Sequence, residues 1–368
     1  KASEVSELTR LSSPDRKRVV MCVSCLFRVL LAWVAFSGSV MAEETTEMTL
    51  AVYSAPKEAY ERTIIPAFQR YWKQRTGQEV RIRSSYGASG AQARAIIGGF
   101  DADVAVLSLE GDLGQIAKAG LISHDWRTGP HKGMVSASVV ALGVRKGNPK
   151  GIKGWEDLAR PGVEVLYPNP KTSGGAMWDL IAIYGAGLKL AEQQAGAGKK
   201  PSAESAEAFA AGLLKRIQKN VKVMDKSGRE SVTTFERGVG DVIVTYENEL
   251  LPRIKSHRPY EIIVPNETVW IENPAAIIDR HVDRHHVRDV AEAFVSFLHS
   301  EDAQAAFAEL GFRPIGQAAS QALAGTSRPL PSQLFTIADL GGWEPISAKL
   351  FGPRGAWTTA VEDLARGK

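Results

Sequence analysis

Apolar residues fall into two alternating patterns along most of this chain. Residues 49–53 form a short β-type run, and Tyr60, Ile64, Ile65, Phe68, Tyr71 and Trp72 then recur at helical spacing. Pro66 lies within that stretch and is expected to kink or restart the helix, and Gly77 is expected to cap it. Val80 and Ile82 alternate with polar partners as a second strand, a helix follows around Ala93, Ile96 and Ile97, and residues 103–107 read as a third strand. A longer β-rich run spans 135–144, and further strands are expected at 163–167, 221–224 and 241–246. Shorter β-like runs stand at 261–264, 269–270 and 275–278, and two helical patterns lie within 287–310. Strands alternating with helices over such lengths predict an α/β protein, a mostly parallel sheet with helices on its faces.

The polar breaks in this pattern are as informative as the apolar runs. Pro168-Asn169-Pro170-Lys171-Thr172-Ser173-Gly174-Gly175 leads from the end of a strand to the start of a helix. Ser173 suits an N-cap, because its hydroxyl oxygen can accept from a first-turn backbone N–H. Gly174 and Gly175 carry no side chain that would keep a ligand from those N–H groups. The positive end of a helix dipole with open amides attracts an anion. The turns at 84–92 and 225–231 have the same character: each follows a strand, enters a helix and is rich in Ser and Gly. A plain capped turn accounts for any one of them. In an open α/β sheet, however, ligands bind beyond the carboxyl ends of strands, where such turns gather. Three of them converging would offer many donors to one small anion.

Composition narrows the class. The chain has 368 residues, with 44% hydrophobic and 23% charged residues and a net charge of +4, which is enough for two domains and too little charge for a nucleic-acid binder. Residues 1–42 have the layout of a signal peptide: Arg16, Lys17 and Arg18, then an apolar span at 29–36, then Val40-Met41-Ala42. Both cysteines, Cys22 and Cys25, lie in that segment, so a processed chain has no thiol chemistry. Nucleotide-binding GxxxxGK[ST] and GxGxxG motifs, the GxSxG elbow and HExxH are all absent from the sequence. His281, His285 and His286, with Asp279 and Asp283, form the one histidine cluster and are expected as an exposed loop and helix start rather than a metal site. Asp101/Asp103 and Glu247/Glu249 are acidic pairs expected on a solvated surface.

Taken together, the turns resemble those of the periplasmic sulfate- and thiosulfate-binding proteins of ABC importers. The resemblance rests on Tyr86-Gly87-Ala88-Ser89-Gly90-Ala91-Gln92, Val144-Arg145-Lys146-Gly147-Asn148-Pro149-Lys150, Pro168 to Ala176, and Thr233 to Val242. Tyr246-Glu247-Asn248-Glu249, Leu334-Phe335-Thr336-Ile337 and Gly341-Gly342-Trp343 extend it, from about residue 49 to about 345. It implies the two-lobed type II periplasmic binding protein fold, with mixed, mostly parallel sheets and strands crossing a hinge. On this reading 1–42 is the signal peptide, 43–138 with 251–345 the first lobe, 139–250 the second, and 346–368 a C-terminal tail. The crossings are expected near 135–144 and 246–264.

The resemblance also implies the ligand site. Family members hold a dehydrated dianion with backbone N–H groups, serine hydroxyls and an aromatic N–H, without a countercharged side chain. Carried over, the candidates are Ser54, Ser89, Gly90, Ser173, Gly174, Gly175, Gly228 and Tyr246. Tyr246 stands where sulfate binders have Trp, Ser54 where the family has Asp, and Gly228 where sulfate binders have Ala and thiosulfate binders Gly. The implied function is the periplasmic, non-enzymatic solute-binding component of a sulfate or thiosulfate importer. It would be a monomer with a membrane permease as its partner, and would need no cofactor, no metal and no nucleic acid. Molybdate or phosphate binding, and a secreted hydrolase, are the alternatives. A cleft built only of donors would favour sulfate, since monohydrogen phosphate needs an acceptor for its proton.

Overall fold

The computed structural model describes residues 46–196, 201–315 and 328–367. The signal peptide expected at 1–42, with Cys22 and Cys25, lies outside the described residues. The alternating pattern of the early chain becomes three strands, β1 (Thr46–Tyr53), β2 (Val80–Gly87) and β3 (Val104–Val106). β1 pairs in parallel with both β2 and β3. The connecting helix α1 (Ile65–Thr76) follows directly on a π-turn at Tyr60–Ile64, and Pro66 is its second residue. Gly77 closes it in the left-handed region, φ 76°, as its C-cap. Helices α2 (Ser89–Ile97) and α3 (Glu110–Lys118) follow β2 and β3.

The long apolar run at 135–144 is β4 (Met134–Arg145), buried along nearly its whole length, as expected of a strand covered on both faces. Beyond it come β5 (Val165–Leu166), α4 (Gly174–Gln194), α5 (Ala203–Lys219), β6 (Val221–Val223), α6 (Gly228–Glu236), β7 (Val242–Tyr246), α7 (Glu247–Lys255), β8 (Tyr260–Ile263) and β9 (Trp270–Ile277). The nine strands make one mixed sheet in the order β2-β1-β3-β9-β4-β7-β5-β6, with β8 on β4. The sheet has two halves. β5 is parallel to β6 and β7 in the second, and only β4 and β9 take part in both.

β4 lies in the 135–144 stretch where the resemblance puts one crossing, and it pairs with β9 at one end and β7 at the other. The segment 246–264 stays with the second half, because β8 pairs antiparallel with Leu142–Arg145 of β4. The second shared strand is β9, whose first residues pair with β4 and whose last pair with β3. The two short runs read at 269–270 and 275–278 are this single strand.

Helices α8 (Asp279–His285), α9 (Arg288–Phe297) and α10 (Glu301–Glu309) close the first half. There Tyr60, Phe68, Phe294 and Phe307 make edge-on and tilted ring contacts within the core. In the second half α4 lies so close to α5 that a Cβ on Gly187 would stand 2.6 Å from Cα of Ala210. The C-terminal segment is built into the same half. α11 (Trp343–Phe351) packs on α4, and α12 (Ala356–Ala365) on α5, where Trp357 Nε1 donates to Gln218 at 3.0 Å. No helix among the described residues is long and apolar enough to cross a membrane.

Candidate functional site

The carboxyl ends of β1 and β7 and the starts of α2, α4 and α6 surround one small cavity of about 20 Å³. That exceeds the roughly 10–15 Å³ one water needs. Of the residues expected at the site, Ser54, Ser89, Ser173, Gly175, Gly228 and Tyr246 line it. Gly90 and Gly174 stand beside it as points of close approach. A Cβ on Gly90 would come 3.3 Å from the Thr172 carbonyl oxygen, and one on Gly174 would come 2.7 Å from Ser108 Oγ.

Each turn presents its donors for a local reason. Ser173 caps α4, its hydroxyl oxygen accepting from the Ala176 N–H at 3.4 Å. That contact uses a lone pair and leaves the hydroxyl hydrogen available to a ligand. Ser227 caps α6 in the same way, accepting from the Glu230 N–H at 3.3 Å, so Gly228 is the first residue of that helix. The amides of the first turn have no partner within their own helix, and three such helix starts ring the cavity.

The Ser89 hydroxyl is engaged within the protein. Its O–H donates to Asp112 at 2.5 Å and its oxygen accepts from the Ser108 N–H at 3.0 Å. What remains to offer a ligand is its backbone N–H at the start of α2. Burial pushes the Asp112 carboxyl up to about 6, against the opposing pull of the Ser89 hydrogen bond and the Arg94 charge.

Several residues that matter here escaped the sequence reading. Ser108 is the junction between the halves: its hydroxyl shares a hydrogen with Tyr246 Oη at 2.8 Å, and its carbonyl accepts from Trp178 Nε1 at 2.8 Å and Asn273 Nδ2 at 3.2 Å. Its position just after β3 is the available signal, since it too lies at a strand's carboxyl end. Burial raises the Tyr246 phenol well above its ordinary range, so it stays protonated. Arg229, in the first turn of α6, reaches across to the loop after β1. There it donates to both carboxylate oxygens of Glu58, at 2.9 and 2.6 Å, and to the Ser54 carbonyl at 3.1 Å.

The expectation of a cleft built only of donors is not met. Among the described residues no Lys, Arg or His lines the cavity, but Asp179 and Glu249 do. Asp179 is four residues beyond Gly175, on the same face of α4. It is buried, and neither carboxyl oxygen has a hydrogen-bond partner among the described residues. Burial raises its pKa well above the usual carboxylate range. Glu249 gives one oxygen to Arg253 at 2.8 Å, while its other has no partner.

The acidic pairs are not solvated as expected, except at Asp101. Buried Glu247 is clasped by Arg313 and Arg328, which tie α7 to the chain beyond α10. Buried Asp103 accepts from the Thr49 N–H at 2.7 Å and faces His285 at 2.7 Å. His281 is buried too, against the Ala102 carbonyl, so the histidine segment packs α8 onto β3 rather than forming an exposed loop. Among the described residues no group of three His, Cys, Asp or Glu is placed to hold a metal.

Most of the chain is similar to known binding proteins. A family model described as bacterial extracellular solute-binding protein matches residues 48–313. A sulfate-binding protein of Synechococcus elongatus is 41% identical over 333 residues, covering 90% of this chain and 91% of the relative. A thiosulfate-binding protein of Pseudomonas aeruginosa is 34% identical over 291 residues, covering 78% and 83%. The solved structure of the sulfate-binding protein SubI from Mycobacterium tuberculosis superposes with a TM-score of 0.73 at 35% identity, covering 83% of this chain and 99% of that one.

Proposed function

The chain belongs to the family of bacterial extracellular solute-binding proteins, and we propose that it captures a small tetrahedral oxyanion, sulfate or thiosulfate, for a membrane importer. The observation that carries this reading is the small buried cavity at three helix starts, with the Ser173 hydroxyl hydrogen unspent and no basic side chain on its wall. Backbone and hydroxyl dipoles can hold a compact anion there after its water is stripped away. The names of the relatives as sulfate- and thiosulfate-binding proteins support the same ligand class. Ser54, Ser89, Gly90, Ser173, Gly174, Gly175, Gly228 and Tyr246 are the proposed ligand-binding set.

The two halves of the sheet act as lobes on this proposal. The first is built from both ends of the chain, β4 and β9 are the connecting strands, and the anion stabilises the state in which the lobes meet. The protein works as a monomer in the periplasm after removal of residues 1–42, and hands its cargo to a permease without chemical change. Ser89, the serine nearest a carboxylate, has Asp112 rather than a histidine as its partner. A second reading, capture of a proton-bearing oxyanion such as monohydrogen phosphate, is favoured by the carboxyl groups of Asp179 and Glu249 on the wall. Calorimetry of the purified protein with sulfate, thiosulfate, molybdate and phosphate tests both. Tight sulfate or thiosulfate binding with weak phosphate binding is expected, equal affinity for phosphate would favour the second reading, and no binding of any of the four would overturn both.

A further inference from the structure

The cavity holds one group that the anion-binding set does not use. Asp179 projects from α4 into the space bounded by Ser173, Gly175 and Tyr246, and its two carboxyl oxygens lack partners among the described residues. A buried carboxylate without a cation or a donor is costly, and such a group keeps its proton instead.

The titratable groups around it would not offset a charge. Tyr246 at the end of β7 and Tyr167 after β5 are neutral phenols, held protonated by burial. Glu249 on α7 is acidic, and so is Asp112 on α3, behind Ser89. Tyr53 at the end of β1 is a third phenol, donating to Asn273. The arginines near the cleft are engaged elsewhere, Arg229 by Glu58 and the Ser54 carbonyl, Arg253 by Glu249. An ionised Asp179 would put a negative charge on the wall of a cavity meant for an anion, and among the described residues no basic side chain lines that wall to offset it.

We propose that Asp179 is a specificity-determining residue of this cleft, a neutral carboxylic acid whose O–H donates to the bound oxyanion. The inference rests on the oxyanion-binding reading above. It turns an acidic side chain from an obstacle into a donor. The hydrogen bond it makes, neutral O–H to anionic oxygen, is of the short, strong kind. No proton leaves the carboxyl; the hydrogen is shared along that bond. The cleft then accepts a fully ionised oxyanion best while Asp179 is protonated, and loses affinity as pH rises far enough to ionise it.

The test uses the full chain with sulfate as the probe. Asp179→Asn keeps a neutral donor at the position and is expected to bind sulfate within about threefold of the wild type. Asp179→Leu keeps the volume without the donor and should weaken binding about tenfold or more, while raising the melting temperature, because a buried unpaired acid is gone. Infrared difference spectra at neutral pH should contain a protonated-carboxyl stretch that is missing in Asp179→Asn and shifts when sulfate is added. Wild-type sulfate affinity in Asp179→Leu, or no protonated-carboxyl band sensitive to Asp179→Asn, would overturn the proposal while leaving the oxyanion reading intact. Failure of the wild type to bind any oxyanion would overturn that reading, and this proposal with it.

Discussion

Serine at position 173 does two tasks with one oxygen, and the two can be separated. Its lone pair caps α4 and its hydrogen is left for the ligand. Ser173→Ala should weaken sulfate binding by about 1–3 kcal/mol, and thermal unfolding should register a smaller loss of about 1 kcal/mol from the missing cap. Unchanged sulfate affinity alongside that loss of stability would make Ser173 a cap and nothing more. Asp112 carries a pH signature. Its folded pKa of about 6 lies above the value near 3.9 of an unfolded aspartate, so the folded state holds the proton more tightly. Its burial therefore costs stability above pH 6, and the cost fades as pH falls through 6 toward 4. Asp112→Asn, which keeps an acceptor for Ser89, should raise stability by up to about 3 kcal/mol at neutral pH, and chemical denaturation should find that gain shrinking below pH 6. A gain that does not change with pH would assign it to packing.

At the scale of elements, local pattern and long-range pairing part company. The strands, the helices and the three Ser/Gly turns were legible, because period-2 and period-3.6 spacing and cap chemistry are written within a dozen residues. The second crossing was not. Tyr260–Ile263 and Trp270–Ile277 are both short apolar runs, and each lies on β4. Only the register against residues more than a hundred positions earlier decides that β9 continues onto β3. Ser108 and Asp179 escaped for a related reason. One has no glycine to mark its turn, and the other sits inside a helix whose face toward the cavity is set by tertiary packing. Helix packing also gives a sharp prediction. Gly187→Ala places a methyl group against Cα of Ala210, and should lower stability by about 1–3 kcal/mol through separation of α4 and α5. A melting temperature equal to the wild type would mean that the pair can part without cost.

For the whole molecule, the proposed closing of the halves on a ligand makes the contacts between them the ones to test. Arg229 reaches from α6 to Glu58 and to the Ser54 carbonyl, and both partners belong to the first half. The Glu58 carboxyl is half-buried, which alone would raise its pKa, but the hydrogen bonds and charge of Arg229 hold it below its ordinary range. Its contribution is therefore complete above the unfolded value near 4.3 and is lost only as pH falls below that. Arg229→Met should weaken sulfate binding by about 1 kcal/mol, solvent screening keeping the effect small. Small-angle scattering of the sulfate-loaded variant should give a larger radius of gyration than the wild type. Unchanged affinity and unchanged dimensions would remove this contact from the closing of the halves.

Among the described residues the wall of the cavity carries no lysine, arginine or histidine, and this bears on salt as well as on ligand choice. Attraction between full charges is screened over about 8 Å at physiological ionic strength. Amide and hydroxyl dipoles in contact with a ligand act at bond length. A ligand held by such a wall is expected to lose less affinity in salt than one held by lysine or arginine.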